Sequence, residues 1–298
     1  MEIDEMNYYK IYGKTPISVV IEMGLGSCLA EWEPFAERIS DTYGVLLYER
    51  LGINQSKVSD KKRTPENIAD ELYYLLKEVE CADKIILVAH SQGGLYATLF
   101  ALKYPQMVKG IVLLDPLSPY DYVFEQTLTS KEYKKSGVDK SANFRMMQGL
   151  AKIGLGGITK KILEKAPPFY YYDNYTKEQK ENILNCTKNA IHAKTALEEY
   201  VEAHKKENLS QFLVEKQISS VPIHLITHSS ELAIEESMYF GRNTKEFAEK
   251  IEVMWQDIMK RYLELFSVSK WTCAEGSTHY IHLSQPDLVA EALQEIYY

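Results

Sequence analysis

Seven short apolar runs punctuate the chain, at 8–13, 17–23, 44–49, 84–89, 110–115, 222–227 and 270–275. Most are continuous rather than alternating, which suits parallel strands covered on both faces. Longer segments with apolar residues at helical spacing lie between them. In 64–80, Ile68, Leu72, Leu75, Leu76 and Val79 recur on one face, Thr64 is placed as N-cap and Pro65 occupies the first helical position. Further helices are expected over 94–105, ending at Pro105, over 243–266 and over 286–298. Strands alternating with helices predict α/β architecture.

The alternation stops after Asp115. From 117 to 220 no segment reads as a strand; helical stretches, a glycine-rich stretch at 149–157 and the aromatic run Pro-Pro-Phe-Tyr-Tyr-Tyr-Asp-Asn-Tyr at 167–175 take its place. About 100 residues of helix between two strands predict a cap over the sheet edge. The expected organisation is therefore a core of residues 1–116 and 221–298 with a helical cap or lid at 117–220. Tyrosine, with an apolar ring and a polar tip, suits either packing or a ligand wall in the aromatic run.

Composition is that of a globular protein: 298 residues, 45% hydrophobic and 26% charged. The net charge of −8 and the lack of a basic stripe argue against nucleic acid. The longest cationic run, Lys61-Lys62-Arg63, reads as a solvated loop. No segment has the length and apolarity of a membrane span, and the acidic N-terminus lacks a signal-peptide core. Cys28, Cys81, Cys186 and Cys273 lie far apart without metal-type spacing. They read as reduced packing residues, and the expected location is cytoplasmic.

The candidate chemistry begins at Ala89-His90-Ser91-Gln92-Gly93-Gly94, directly after the apolar run 85–89. A tight strand-to-helix turn projects its central side chain and needs small neighbours, as in G-x-S-x-G. Alanine stands here for the first glycine. At the start of a helix the backbone N–H groups point outward, so that of Gln92 is placed to meet a developing oxyanion.

Four motifs in this order resemble the α/β-hydrolase superfamily: Met-Gly-Leu-Gly-Ser at 23–27 its oxyanion loop, Tyr-Glu-Arg-Leu-Gly-Ile-Asn-Gln-Ser at 48–56 its D-R-x-G-x-G-x-S loop, 88–94 its nucleophile elbow, and 276–286 the segment with its catalytic histidine. The resemblance implies an α/β-hydrolase fold, a mostly parallel central sheet flanked by helices. It also implies Ser91 as nucleophile and the N–H groups of Leu25 and Gln92 as oxyanion hole. Met23 stands where the family often carries a histidine that is not part of the triad.

Of seven histidines, His279 is the expected base, with His282 the alternative in the same segment. His192 and His204 read as surface residues of the cap. For the acid, two positions compete. Asp115 ends a strand, where position is rigid; Glu231 falls at the acid's place when counted from Pro222 against the family pattern, although His228 replaces a glycine there. Asp121, Glu235 and Glu236 are more distant choices.

Together these residues imply a serine hydrolase of carboxylesterase type. It would cleave a small ester, thioester or amide through a Ser91 acyl-enzyme and need no metal or organic cofactor. The expected partner is a small acyl substrate. Two alternatives share the motifs: a ligand-binding or signalling homologue with little turnover, and an aminopeptidase of the proline-iminopeptidase type.

Overall fold

The computed structural model describes residues 7–210 and 220–298. Seven strands form one sheet: β1 (Tyr9–Tyr12), β2 (Ile17–Glu22), β3 (Val45–Tyr48), β4 (Cys81–His90), β5 (Val108–Leu114), β6 (Ile223–His228) and β7 (Ser269–Ala274). Their spatial order is β1-β3-β2-β4-β5-β6-β7, and only β1 runs antiparallel to its neighbour. Each apolar run of the sequence became one strand; the central parallel strands β2, β3, β5 and β6 are buried on both faces as continuous apolar runs require, whereas β7 at the sheet edge is largely exposed. One face packs Val20, Leu46, Leu87, Ile111 and Leu113 against helices; the other packs Ile21, Leu47, Val88, Val112 and Ile226.

The core helices are α1 (Leu29–Ile39), α2 (Pro65–Glu78) and α3 (Gln92–Lys103). Thr64 caps α2 by accepting from the Asn67 N–H at 3.2 Å, and Pro65 opens that helix. After β5 the chain runs through α4 (Tyr122–Thr127), α5 (Ser130–Lys135), α6 (Ser141–Lys152), α7 (Gly156–Leu163), α8 (Lys177–Cys186), α9 (Ala190–Ala203) and α10 (Lys206–Ser210) before β6. Among the described residues this stretch holds no strand; residues 211–219 of the expected 117–220 segment lie outside them. Then follow α11 (Ser230–Tyr239), α12 (Lys245–Leu263), α13 (Ile281–Ser284) and α14 (Pro286–Tyr297). Among the described residues no helix is long and apolar enough to cross a membrane.

Two expectations need correction. Arg63 does not belong to a solvated run: Lys61 and Lys62 are exposed, but Arg63 is buried. Its guanidinium donates to Glu71 at 2.7 Å and to Glu199 of α9 at 2.9 Å, and a buried cation needs such partners. Likewise Cys273 is exposed rather than packed, although all four cysteines are free.

Candidate active site

Ser91, Asp115 and His279 follow the carboxyl ends of β4, β5 and β7, where the topology of an α/β sheet gathers functional residues. Ser91 sits between β4 and α3 at φ +52°, a left-handed conformation that costs a residue with a side chain about 1–3 kcal/mol. The turn is clamped to the end of β5. Its N–H donates to the Leu114 carbonyl at 3.0 Å, and its own carbonyl accepts from Leu117 at 2.8 Å and Gly94 at 3.0 Å. The two glycines that follow are steric requirements. A Cβ on Gly93 would come within 2.3 Å of the Glu22 carbonyl oxygen, and one on Gly94 within 2.4 Å of Pro116. Only a bare backbone lets α3 start this close to β2 and β5.

The loop after β2 lies against the same turn. A Cβ on Gly24 would stand 3.4 Å from that of Ser91. Leu25 follows, half-buried, and then Gly26 at φ +65°. Gln92 is the first residue of α3, so its N–H has no intrahelical acceptor. Arg50 holds the loop from below. Its guanidinium donates to the carbonyls of Met23 at 2.7 Å and Gly24 at 2.9 Å. It also meets Glu22 at 2.8 Å and Glu199 at 2.9 Å, all buried. Burial pushes the Glu22 carboxyl up to about 7 despite the Arg50 charge beside it. Helix α9 is thus fixed to the loop through charge.

Asp115 follows β5 at φ +46° and is almost fully buried. His279, on the loop after β7, donates from Nδ1 to Asp115 Oδ2 at 2.6 Å. That bond commits Nδ1 and leaves Nε2 without a partner among the described residues. The His279 side chain is 29% exposed. His90 supports it from the other side: its Nε2 donates to the His279 carbonyl at 2.9 Å, and the two rings lie 4.5 Å apart. Burial, with the neighbouring His279, pushes the His90 imidazole down to about 3, so it stays neutral. Among the described residues the Ser91 hydroxyl shares no hydrogen bond with His279.

The other candidates lie elsewhere. Glu231 is an exposed residue in the first turn of α11, without a hydrogen bond to His279 among the described residues. His282 is buried and stacked on Trp32 at 3.7 Å, and burial holds its imidazole well below the ordinary value. His192, expected at the surface, is buried instead: it faces the loop after β2 near Gly26 and accepts from the Asn54 N–H at 3.3 Å. In the aromatic run 167–175, Tyr175 is buried while Tyr170 and Tyr171 are exposed. This run also reaches the histidine loop, where the Asn174 amide donates to the Leu283 carbonyl at 2.7 Å.

Sequence reasoning missed the second partner of Asp115. His228, the last residue of β6, donates to Asp115 Oδ1 from its Nδ1 at 2.6 Å and from its backbone N–H at 3.1 Å. Its Nε2 donates to Glu252 of α12 at 3.0 Å, and its ring lies 4.2 Å from that of Trp255. Ser230 and Gln256 donate to the other Glu252 oxygen at 2.7 and 2.8 Å. Burial alone would push His228 down, but the charges of Asp115 and Glu252 push it up to about 10. Burial would likewise raise Asp115; the charge and hydrogen bonds of His228, with those of His279, hold it well below the carboxylate range. The arrangement is a chain of alternating groups: His279, an anionic Asp115, a cationic His228 and an anionic Glu252. The parallel pairing of β5 with β6 was the available signal, because it sets the residues ending both strands side by side.

Comparison with known proteins bears on the fold and its relatives. A family model described as the alpha/beta hydrolase fold matches residues 17–136. The uncharacterized protein YqjL of Bacillus subtilis is 25% identical over 96% of this chain and 85% of its own length. A proline iminopeptidase of Saccharolobus solfataricus is 33% identical over 126 residues, 40% of each chain. Among solved structures, an epoxide hydrolase from Bacillus megaterium superposes with a TM-score of 0.70 at 13% identity, over 98% of this chain and 96% of its own. A thermophilic esterase from Thermogutta terrifontis superposes with a TM-score of 0.63 at 18% identity, over 97% and 92%. The fold implied by the four sequence motifs is the fold present.

Proposed function

We propose, on the premise that the chain belongs to the α/β-hydrolase superfamily, that it is a serine hydrolase acting on a small carboxylic ester, thioester or amide. The observation that carries this reading is the 2.6 Å bond from His279 Nδ1 to Asp115 Oδ2, at the sheet edge where Ser91 occupies its strained turn.

In the proposed reaction His279 Nε2 takes the Ser91 hydroxyl proton as Oγ attacks the acyl carbon, and then delivers it to the leaving group. Water hydrolyses the acyl-enzyme by the same steps in reverse order of roles. Asp115 orients the ring and stabilises the imidazolium. The N–H groups of Leu25 and Gln92 receive the oxyanion, a contribution of about 2.7–4 kcal/mol per donor. The bond between Ser91 and His279 is one that commonly tightens only with substrate in place. Side chains and backbone amides suffice for every step. The helices between β5 and β6 act as a cap, and Arg50 with Glu199 fixes α9 of that cap to the oxyanion loop.

A fluorophosphonate probe tests the nucleophile without knowledge of the substrate. Wild type is expected to be labelled at Ser91, and Ser91→Ala is expected to be unlabelled. His279→Ala should react at least ~10³-fold more slowly with its fold intact. Normal labelling of either variant overturns the assignment. A wild-type protein that resists both the probe and short p-nitrophenyl esters would indicate a ligand-binding protein instead. The iminopeptidase similarity makes N-terminal prolyl amides the first amide substrates to include.

A further inference from the structure

The helical hairpin α6–α7 presents an apolar face to solvent. Met146, Ile153, Leu155, Ile158 and Ile162 are all exposed there, Ile153 at 69%. Ile158 and Ile162 are one turn apart and share a face of α7. Packing does not explain them, because the hairpin's inner side is occupied by other residues. The Phe144 ring packs 5.7 Å from Tyr200 of α9, and Ala151 and Thr159 are buried. Gly156 abuts the Lys188 backbone, where a Cβ would come within 2.8 Å. A Cβ added to Gly149, Gly154 or Gly157 would meet nothing within 4 Å, so the outer face is open.

Charge singles out one kind of occupant. The chain as a whole carries −8. Residues 141–165 reverse that sign: they contain Arg145, Lys152, Lys160, Lys161 and Lys165 against Glu164 alone. Lys160 is paired with Glu181 of α8 at 2.6 Å, whereas Arg145, Lys152, Lys161 and Lys165 are exposed. Aliphatic side chains flanked by cations on a short helical hairpin match an anionic lipid surface, where the apolar face enters the acyl boundary and the cations meet headgroups. A soluble acidic protein would complement the cations but leave the aliphatic face wet.

We infer that the α6–α7 hairpin docks the protein on anionic membrane surfaces, lying in the interface without spanning the bilayer. The inference is independent of the chemistry at Ser91.

Co-sedimentation with vesicles tests it, using phosphatidylcholine alone and an equimolar mixture with phosphatidylglycerol. Wild type is expected to pellet with the mixture, to bind phosphatidylcholine much more weakly, and to be released by salt. The double variant Ile153→Ser/Ile158→Ser should bind roughly tenfold more weakly or worse. Lys152→Gln and Lys161→Gln should each weaken binding by roughly fivefold. Val253→Ser, at an exposed valine on α12, should bind as wild type does. Circular dichroism checks that the variants remain folded, as surface positions should. Failure of wild type to pellet with the mixture overturns the inference. Equal binding to both vesicles, or retained binding by the isoleucine variant, overturns it as well. A wild-type dimer that this variant converts to monomer in analytical ultracentrifugation would show that a second copy covers the face, with the same consequence.

Discussion

Replacing His228 by glutamine should move the acid limb of the pH–rate profile to higher pH. His228 and His279 bind opposite oxygens of the Asp115 carboxylate, each through Nδ1 at 2.6 Å. In the proposed reaction His279 takes a proton from Ser91, and its new positive charge would be separated from the imidazolium of His228 by one carboxylate, on the order of 7 Å. At an effective dielectric constant near 20, Coulomb's law makes this repulsion roughly 2 kcal/mol. The His279 ring is partly exposed, and solvent screening reduces the effect to about one pH unit. Loss of the His228 charge removes the repulsion and frees Asp115 to stabilise the imidazolium alone. The rate of fluorophosphonate labelling against pH measures the shift without a known substrate. Glu252→Gln supplies the opposite sign: removing that anion should move the limb to lower pH, by less, because Glu252 stands one group further away. An unchanged limb in His228→Gln, or movement to lower pH, would refute the charge assigned to His228. The groups facing His228 are Asp115 from β5, Glu252 and Trp255 from α12, and Cys273 of β7, whose Sγ–H donates to the His228 carbonyl at 3.4 Å.

The same histidine should mark stability. Its folded value of about 10 exceeds the ordinary 6.5, so its contribution is full below about 6.5 and disappears as pH rises toward about 10; wild type should lose more stability than His228→Gln across that window in urea titrations, and parallel losses would contradict the shift. Asp115→Asn should slow labelling of Ser91 by about 10³- to 10⁴-fold while Glu231→Gln leaves it within about twofold; the reverse outcome would transfer the acid's role to Glu231. Glu199→Leu should cost about 3–5 kcal/mol in chemical unfolding, because Arg50 and Arg63 stay buried without that counter-charge; a loss below about 1 kcal/mol would refute the clamp. Gly93→Ala should destabilise by about 1–3 kcal/mol or block folding, since its methyl group would overlap the Glu22 carbonyl, and a variant of wild-type stability would contradict that contact.

The amino-acid sequence by itself determined the sheet and the helices that cover it. Continuous apolar runs become strands wherever both faces are buried, and Thr64-Pro65 announces the start of α2 in any context, because capping and the proline φ are local effects. The serine turn was legible for a similar reason: small residues around Ser91 report a backbone that must bend sharply within a few positions. His279 could be named as a candidate from its motif and Asp115 from its place at a strand end, but their bond joins residues 164 positions apart, and no local rule measures that separation.

Only the tertiary structure decided which carboxylate faces His279 and what stands behind it. His228 and Glu252 are 24 positions apart on a strand end and the middle of a helix, and each looks ordinary in its own segment. Their charges emerge because burial removes water and leaves Asp115, His228 and Glu252 to neutralise one another. Arg63 and His192 make the same point: polarity placed them at the surface, and long-range partners, Glu199 of α9 for Arg63 and the Asn54 N–H for His192, drew them inside. Periodicity records which way a side chain faces relative to its own element; the charge state of a buried group depends on neighbours that the chain brings together only after it folds.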